Sequence, residues 1–419
     1  MPEDSLPLQE LPFLSLQSSM LSQPNRTNKR KSRGVPRGEQ VSECTPTELI
    51  QQWSPPHKHQ RLLSKGKENE VNHFVLARRS RKKKKEPGIS WDYLPDELML
   101  RICFCLSLQD LLRVSVVCKR WHRLAFDESL WHSVDLDGLM HMGPALHQVL
   151  KTGVRRLRCP RAFVEELHLS DSAPLQITEM DLSSSIIPTS TLETIIHRCR
   201  LLKHLSLEGL QLSDGIISSL AMNPDLLQLN LCGCSNFSAP ALATMLKSCS
   251  SLEQFNISWC SFSKDHVKSV INNLSPSVTN LNLSGYRESL TLDDVKVLVE
   301  RCPNLQTLDL SDSTLLMADS LPVLRHLKHL QHLALSRCYH IHLAALTDLG
   351  KTLPSLTHLD IFGLLQDGQL PSLKKDMSHV SINSRPFSAT ARPTPSSRLV
   401  GSPSDRTMWD RRCRLRFKP

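Results

Sequence analysis

A pair of apolar residues flanking one polar residue returns at nearly constant intervals along most of this 419-residue chain. The pairs are Met180/Leu182, Leu205/Leu207, Leu229/Leu231, Phe255/Ile257, Leu281/Leu283, Leu308/Leu310, Leu333/Leu335 and Leu359/Ile361. Weaker copies stand at Val134/Leu136 and Leu157/Cys159, and first members lie 23 to 27 residues apart. Alternation of this kind marks a strand with one buried face. The intervals carry helical patterns, such as Leu292, Val295, Leu298 and Val299, or Leu192, Ile195 and Ile196, and Ser190 and Glu193 have the spacing of a capping box. One strand and one helix cannot bury their apolar sides alone, so neighbouring units must stack.

That period and its L-x-x-L-x-L core are the signature of leucine-rich repeats. The expected fold is therefore α/β, a horseshoe-shaped solenoid of about ten repeats over residues 134–382, with Val380/Ile382 as a closing strand. A cysteine precedes the first apolar residue by six at Cys199, Cys249 and Cys302, and another follows it by five at Cys234, Cys260 and Cys338. Parallel strands about 4.8 Å apart would line a concave face roughly 45 Å long. Strand alternation sends the leucines inward and turns His204, Ser206, Asn230, Asn256, Asn282, Asp309 and His358 toward the concavity.

The rim carries the most informative departures from the pattern. Four residues past each of the eight clear first members stand Ser184, Gly209, Gly233, Trp259, Gly285, Asp312, Arg337 and Gly363. Small residues suit a tight turn leaving the strand, and Trp259, Asp312 and Arg337 break that rule. Tyr286, Arg287 and Tyr339 lie nearby. Trp, Tyr and Arg dominate binding hot spots, so these six residues form a candidate interface. The competing explanation for Trp259 is packing on the turn of an adjacent repeat.

Residues 89–133 have a different texture. Pro95 precedes acids at Asp96 and Glu97, and Leu98, Ile102, Cys105 and Leu106 recur at helical spacing. A second helix is expected through Leu111, Leu112, Ser115 and Val116, with Asp110 near its start, and a third around residues 118–124. Such a bundle is too small to be comfortable alone. It must lean on a neighbour or a partner.

The net charge of +10 is unevenly spread: residues 1–88 carry +8, residues 383–419 carry +7, and the body between them is mildly acidic at −5. Both basic segments lack apolar periodicity and are expected to be disordered. Runs such as Lys29-Arg30-Lys31 leave open a nuclear nucleic-acid-binding or scaffolding role acting through the tails. The acidic body argues against specific nucleic-acid recognition. The charge contrast suggests that part of residues 383–419, with Trp409, Leu415 and Phe417 as apolar anchors, folds back along the concave face. No apolar run approaches the ~20 residues that span a bilayer, and Met1-Pro2-Glu3-Asp4 does not resemble a secretory signal; neither membrane insertion nor export is expected. Thirteen cysteines are expected to be reduced thiols. Cys103/Cys105, Cys232/Cys234, His326/His329/His332 and His340/His342 are superficially ligand-like, but they sit in packing or diverging positions. No metal, no cofactor and no catalytic residue is expected.

The helical segment resembles an F-box, through Leu94-Pro95-Asp96-Glu97-Leu98, Ile102, Leu106, Asp110-Leu111, Val114, Val117-Cys118-Lys119-Arg120-Trp121 and Leu130-Trp131. Followed by cysteine-containing repeats, it is similar to the F-box/leucine-rich-repeat family over residues 88–395. The resemblance implies a non-catalytic substrate receptor of an SCF (cullin-RING) ubiquitin ligase. Leu94, Pro95, Leu98, Ile102, Leu111 and Trp121 would bind the adaptor that links it to the cullin. Trp259, Tyr286, Arg287, Asp312, Arg337 and Tyr339 would take a small Cks-type accessory subunit and a phosphorylated cyclin-dependent-kinase inhibitor. Other cell-cycle substrates and a cyclin–kinase complex are further implied partners, with action at the G1/S transition in nucleus and cytoplasm.

Overall fold

The computed structural model describes residues 91–139, 141–167, 173–366, 368–393 and 413–417. The basic region 1–88 and Trp409, with the expectations attached to them, lie outside the described residues.

Three short helices come first: α1 (Asp96–Phe104), α2 (Leu108–Ser115) and α3 (Lys119–Ala125). Ser107 caps α2, accepting from the Asp110 amide at 3.2 Å while its hydroxyl donates to the Asp110 carboxylate at 2.7 Å. Arg120 donates to the Asp96 carboxylate at 2.8 Å and to the Trp91 carbonyl at 3.2 Å, tying α3 to the start of α1. Trp131 is fully buried, donates its indole N–H to the Ala125 carbonyl at 2.7 Å and stacks on Phe126. Through it, Cys103, Leu108, Leu111, Leu112 and Ala125 join one hydrophobic core that continues into the repeats.

From β1 (Ser133–Asp135) the chain enters a parallel sheet of twelve strands among the described residues. In sequence these are β2 (Arg156–Arg158), β3 (Glu179–Asp181), β4 (His204–Ser206), β5 (Gln228–Asn230), β6 (Gln254–Asn256), β7 (Asn280–Asn282), β8 (Thr307–Asp309), β9 (His332–Ala334), β10 (His358–Asp360), β11 (Ser381–Ile382) and β12 (Leu415–Arg416). The spatial order runs β11 to β1 and then β12. Every first apolar residue of the repeat stands in register with the next, from Val134 opposite Leu157 to Leu359 opposite Ile382. Each is essentially buried, an environment worth about 1.5–3 kcal/mol per large apolar side chain relative to exposure. The register read from sequence is thus the observed one for the ten repeats; the closing strand is present too, but Ile382 rather than Val380 takes the first apolar position.

Helices fill most crossovers, including α5 (Thr189–His197), α8 (Lys264–Asn273), α9 (Leu292–Arg301) and α11 (Leu343–Thr352), counting α4 (Gly143–Lys151), α6 (Asp214–Leu220), α7 (Ala239–Ser248) and the one-turn α10 (Leu321–Leu324) between them. The expected capping box at Ser190 and Glu193 does not form. Pro188, with φ near −58°, takes the N-cap two residues earlier than Ser190, and Glu193 instead accepts from the Ser213 hydroxyl of the next repeat at 3.0 Å. Reciprocal boxes do close α9 through Thr291 and Asp294 and α8 through Ser263 and His266.

In several repeats the slot five residues past the first apolar residue carries a side-chain donor with a recurring partner. Ser185, Cys234, Cys260 and Cys338 are buried there, and each donates to the carbonyl of the second apolar residue one repeat earlier: Cys159 at 3.1 Å, Leu207 at 3.1 Å, Leu231 at 3.0 Å and Leu310 at 3.4 Å. Burial pushes the Cys260 and Cys338 thiols up to about 12, so they stay protonated donors.

Candidate functional site: a helical face and a solenoid rim

On the helical bundle, α1 is apolar on two sides. Met99 and Cys103 face inward, while Leu98 and Ile102, one turn apart, are exposed. Pro95 is exposed at the N-cap, and Trp121 is half-buried with its ring edge-on to Trp91 at 5.8 Å. Leu94 is half-buried, its carbonyl accepting from Arg120. Leu111 does not belong to this surface: it is fully buried against the core, because its helix presents Leu108, Leu111 and Leu112 inward. Val116 is the opposite correction. Expected to continue the inner stripe of α2, it caps that helix instead and is 74% exposed, with Val117 at 63%. Trp91, Tyr93 and Phe104 are exposed as well. The exposure of Val116 and Val117 was hidden because the segment between α2 and α3 has no periodicity to read.

The concave face differs from the simple alternation. Ser206, Asn230, Asn256, Asn282 and Asp309 are buried rather than displayed. In four of these the side-chain oxygen accepts from the amide two residues on: Asn230 from Cys232 at 3.1 Å, Asn256 from Ser258 at 3.2 Å, Asn282 from Ser284 at 2.9 Å and Asp309 from Ser311 at 3.0 Å. These side chains therefore hold the turn that leaves the strand. His204 and His358 stay half-buried, and burial lowers the pKa of both.

A returning segment covers part of that face. Arg385 donates its amide to Asp360 at 3.1 Å, Asn256 donates to the Thr390 carbonyl at 3.2 Å, and the Ala391 amide reaches Gln254 at 3.2 Å. Arg392 forms a two-pronged pair with Glu208 at 3.0 and 3.1 Å and donates to the Cys232 sulfur at 3.5 Å. The fold-back expected from charge is present over residues 385–392, whereas Leu415 and Phe417 anchor at the β1 edge of the sheet instead. The described parts of 383–419 are therefore ordered by backbone pairing and this ion pair, contrary to the expectation of disorder.

Along the rim, the position four past each first apolar residue is left-handed in all ten repeats, from Gly138 and Arg161 through Gly363. Each non-glycine residue there holds a backbone conformation that glycine adopts without strain. Trp259 has φ 57°, Asp312 62° and Arg337 59°; for a bulky residue such as Trp this is a genuine outlier. Trp259 is 47% exposed and its indole lies so close to Gly285 that a side chain there would meet it at 2.8 Å. Packing on the adjacent turn and presentation to solvent coexist in this one side chain.

Asp312 and Arg337 form a bidentate pair, Nε to Oδ1 at 2.6 Å with a second contact from the other guanidinium nitrogen. Hydrogen bonding to Asp312 raises the Arg337 pKa. Asp312 is buried while Arg337 keeps an exposed flank; Tyr339, two residues on, is 59% exposed, and the exposed Arg287 accepts at its carbonyl from the Thr314 amide, two residues past Asp312, at 3.0 Å. Asp312 thus orients the arginine rather than facing solvent. Tyr286 leaves the proposed interface altogether. It is only 4% exposed, stacks on Phe262 at 5.5 Å, and its hydroxyl donates to the Ile257 carbonyl. It fills the same slot as Cys234, Cys260 and Cys338, so a core packing rule explains it.

Among the described residues no three His, Cys, Asp or Glu side chains converge as a metal-ligand set. His332 is bonded to Asp360 at 2.7 Å and His326 to the Val323 carbonyl at 3.0 Å. No helix among the described residues is long and apolar enough to cross a membrane.

A family model described as the SKP2 LRR domain matches residues 144–416, and one described as F-box-like matches residues 91–137. The chain is 24% identical over 266 residues to Putative F-box/LRR-repeat protein 22 of Arabidopsis thaliana, covering 62% of this chain and 73% of that protein. It is 33% identical over 141 residues to F-box/LRR-repeat protein 12 of Homo sapiens, covering 33% of this chain and 39% of that protein. Among solved structures, an internalin of Listeria monocytogenes aligns with a TM-score of 0.38 at 16% identity, over 58% of this chain and 70% of that one.

Proposed function

The chain belongs to the SKP2 LRR domain family, and from that premise and its F-box-like segment we propose that it is the substrate-recognition subunit of an SCF-type ubiquitin ligase. The observation that carries this reading is that Leu98, Ile102, Val116 and Val117 are all exposed on a bundle of three short helices whose inward apolar residues are already packed into the core shared with the repeats. Large apolar residues left exposed in such number on so small a unit mark a protein interface. The adaptor docks there, with Leu94, Pro95 and Trp121 alongside, and connects the chain to the cullin. The solenoid holds the substrate, and transfer chemistry is performed by other subunits.

At the rim, Trp259, Arg337, Tyr339 and Arg287 receive a Cks-type accessory subunit, which together with the concave surface reads a phosphorylated cyclin-dependent-kinase inhibitor. Asp312 fixes Arg337 for that contact. Degradation of such inhibitors promotes G1/S progression, in nucleus and cytoplasm.

Co-purification with adaptor and cullin tests the first step. Leu98→Asp combined with Val117→Asp abolishes the association while the solenoid stays folded. A variant that keeps the cullin association sinks the receptor reading.

A further inference from the structure

The sheet does not end at β1. Residues 413–417 add β12 in parallel beyond it, pairing Val134 with Leu415 and Asp135 with Arg416, and the Phe417 amide donates to the Asp135 carbonyl at 2.8 Å. Leu415 is fully buried, Arg416 lies 3.8 Å from the Asp135 carboxylate, and Phe417 reaches the turn at Gly138. This strand covers a sheet edge whose backbone groups would otherwise face solvent.

The same segment also grips the helical bundle. Arg414 donates to the Cys103 carbonyl at 3.0 Å, in the last turn of α1, and its guanidinium carbon stands 3.4 Å from the centroid of the Phe104 ring. The Cys103 carbonyl also accepts from the Leu106 amide at 3.1 Å and lies at the end of α1 that carries the negative end of the helix dipole. A planar cation that both bonds there and stacks on an aromatic face is well matched to the place. The bundle's other attachment runs through Leu130, Trp131 and the core beneath them. A body joined at one place can rock about it, whereas a second tether at the end of α1 removes that freedom.

We infer that residues 413–417 are a brace that locks the orientation of the F-box against the solenoid, with Arg414 as its positioning residue. The inference rests on the receptor function proposed above, because fixed orientation matters when one end docks to a ligase and the other holds a substrate lysine at a set distance. The residues it contacts, Cys103, Phe104 and β1, are not among those proposed to bind adaptor or substrate.

The test uses the full chain bound to adaptor, with labels introduced through unnatural amino acids at the exposed Arg113 of α2 and Lys351 of α11. In the native complex the label-to-label distance distribution is narrow. Arg414→Ala and Leu415→Asp both broaden it, Arg414→Lys broadens it less, and adaptor and substrate affinities stay within about twofold while ubiquitin transfer slows about tenfold. Arg414→Ala removes no core side chain, so it decides the question alone if Leu415→Asp does not fold. An unbroadened distribution in Arg414→Ala overturns the brace. Absence of ubiquitin transfer by the native complex would instead strike the receptor reading, since the distance measurement stands without it.

Discussion

Trp259 sits where the backbone favours glycine. Its φ of 57° lies in the same left-handed region as the glycines of its row, and a strained left-handed residue costs roughly 1–3 kcal/mol. Trp259→Gly relieves that strain but loses the indole's contact with Gly285, so unfolding free energy should change by only about 1 kcal/mol. Accessory-subunit affinity should nevertheless fall by about 2 kcal/mol or more, as hot-spot truncation does. Calorimetric titration beside a denaturant melt separates the two effects; equal losses in both would reduce Trp259 to a packing residue. Asp309 poses a different question. Burial raises its pKa, yet Asn does the same turn-holding work at positions 230, 256 and 282. An acid whose folded pKa is raised costs stability once pH climbs above its unfolded value, and costs nothing below it. Asp309→Asn should therefore stabilise at pH 7 by on the order of 1 kcal/mol, with the gain gone near pH 3. A gain that persists in acid would show that charge is not its source. Tyr286 shows where residue-level reading from sequence fails: its type suggested a hot spot, but its place five past Leu281 makes it a core donor. Register outranks residue type in a repeat.

Elements whose identity rests on periodicity were legible from sequence. All ten strands that carry apolar pairs stand where alternation put them, and the closing strand follows with Ile382, not Val380, opposite Leu359. β12 was not legible, because two residues cannot alternate visibly and their partner lies at Val134, far away in sequence. Val116 was misassigned for a related reason: α2 is only eight residues long, and two turns do not fix where its apolar stripe ends, whereas Leu111 does lie in that stripe and its adaptor role came from the resemblance alone. Leu111→Ala should cost about 2–5 kcal/mol as a core truncation, without a specific loss of adaptor affinity in the folded fraction. Thermal melts and adaptor titration on the same sample check this. The segment crossing the concave face was anticipated from charge alone, and its pairing of Arg392 with Glu208 supplies a direct check. Glu208→Arg should release the segment and speed exchange of the Ala391 amide about tenfold, the size of a lost charge-assisted contact. Adding Arg392→Glu should restore protection. Failure of the double reversal would mean that the segment is held by its backbone bonds instead.

At the scale of the whole molecule, the bundle and solenoid share one core, running from Cys103 through Trp131 to Leu415 and on to Ile382. Repeat arrays are held by nearest-neighbour contacts, so damage at one end stays local when interfaces between repeats are strong. Trp131 is the place to test that logic, because it is buried at the junction, stacked on Phe126 and bonded to Ala125. Trp131→Ala should cost about 3–5 kcal/mol. The loss should appear as rapid amide exchange throughout α1, α2 and α3, while β5 to β8 keep their native protection. Adaptor binding would then fail with the solenoid intact, and accessory-subunit binding at the rim would survive. Loss of protection across the entire sheet would mean that the molecule unfolds as one cooperative body. In that event its two ends could not be disabled independently by any core substitution at the junction.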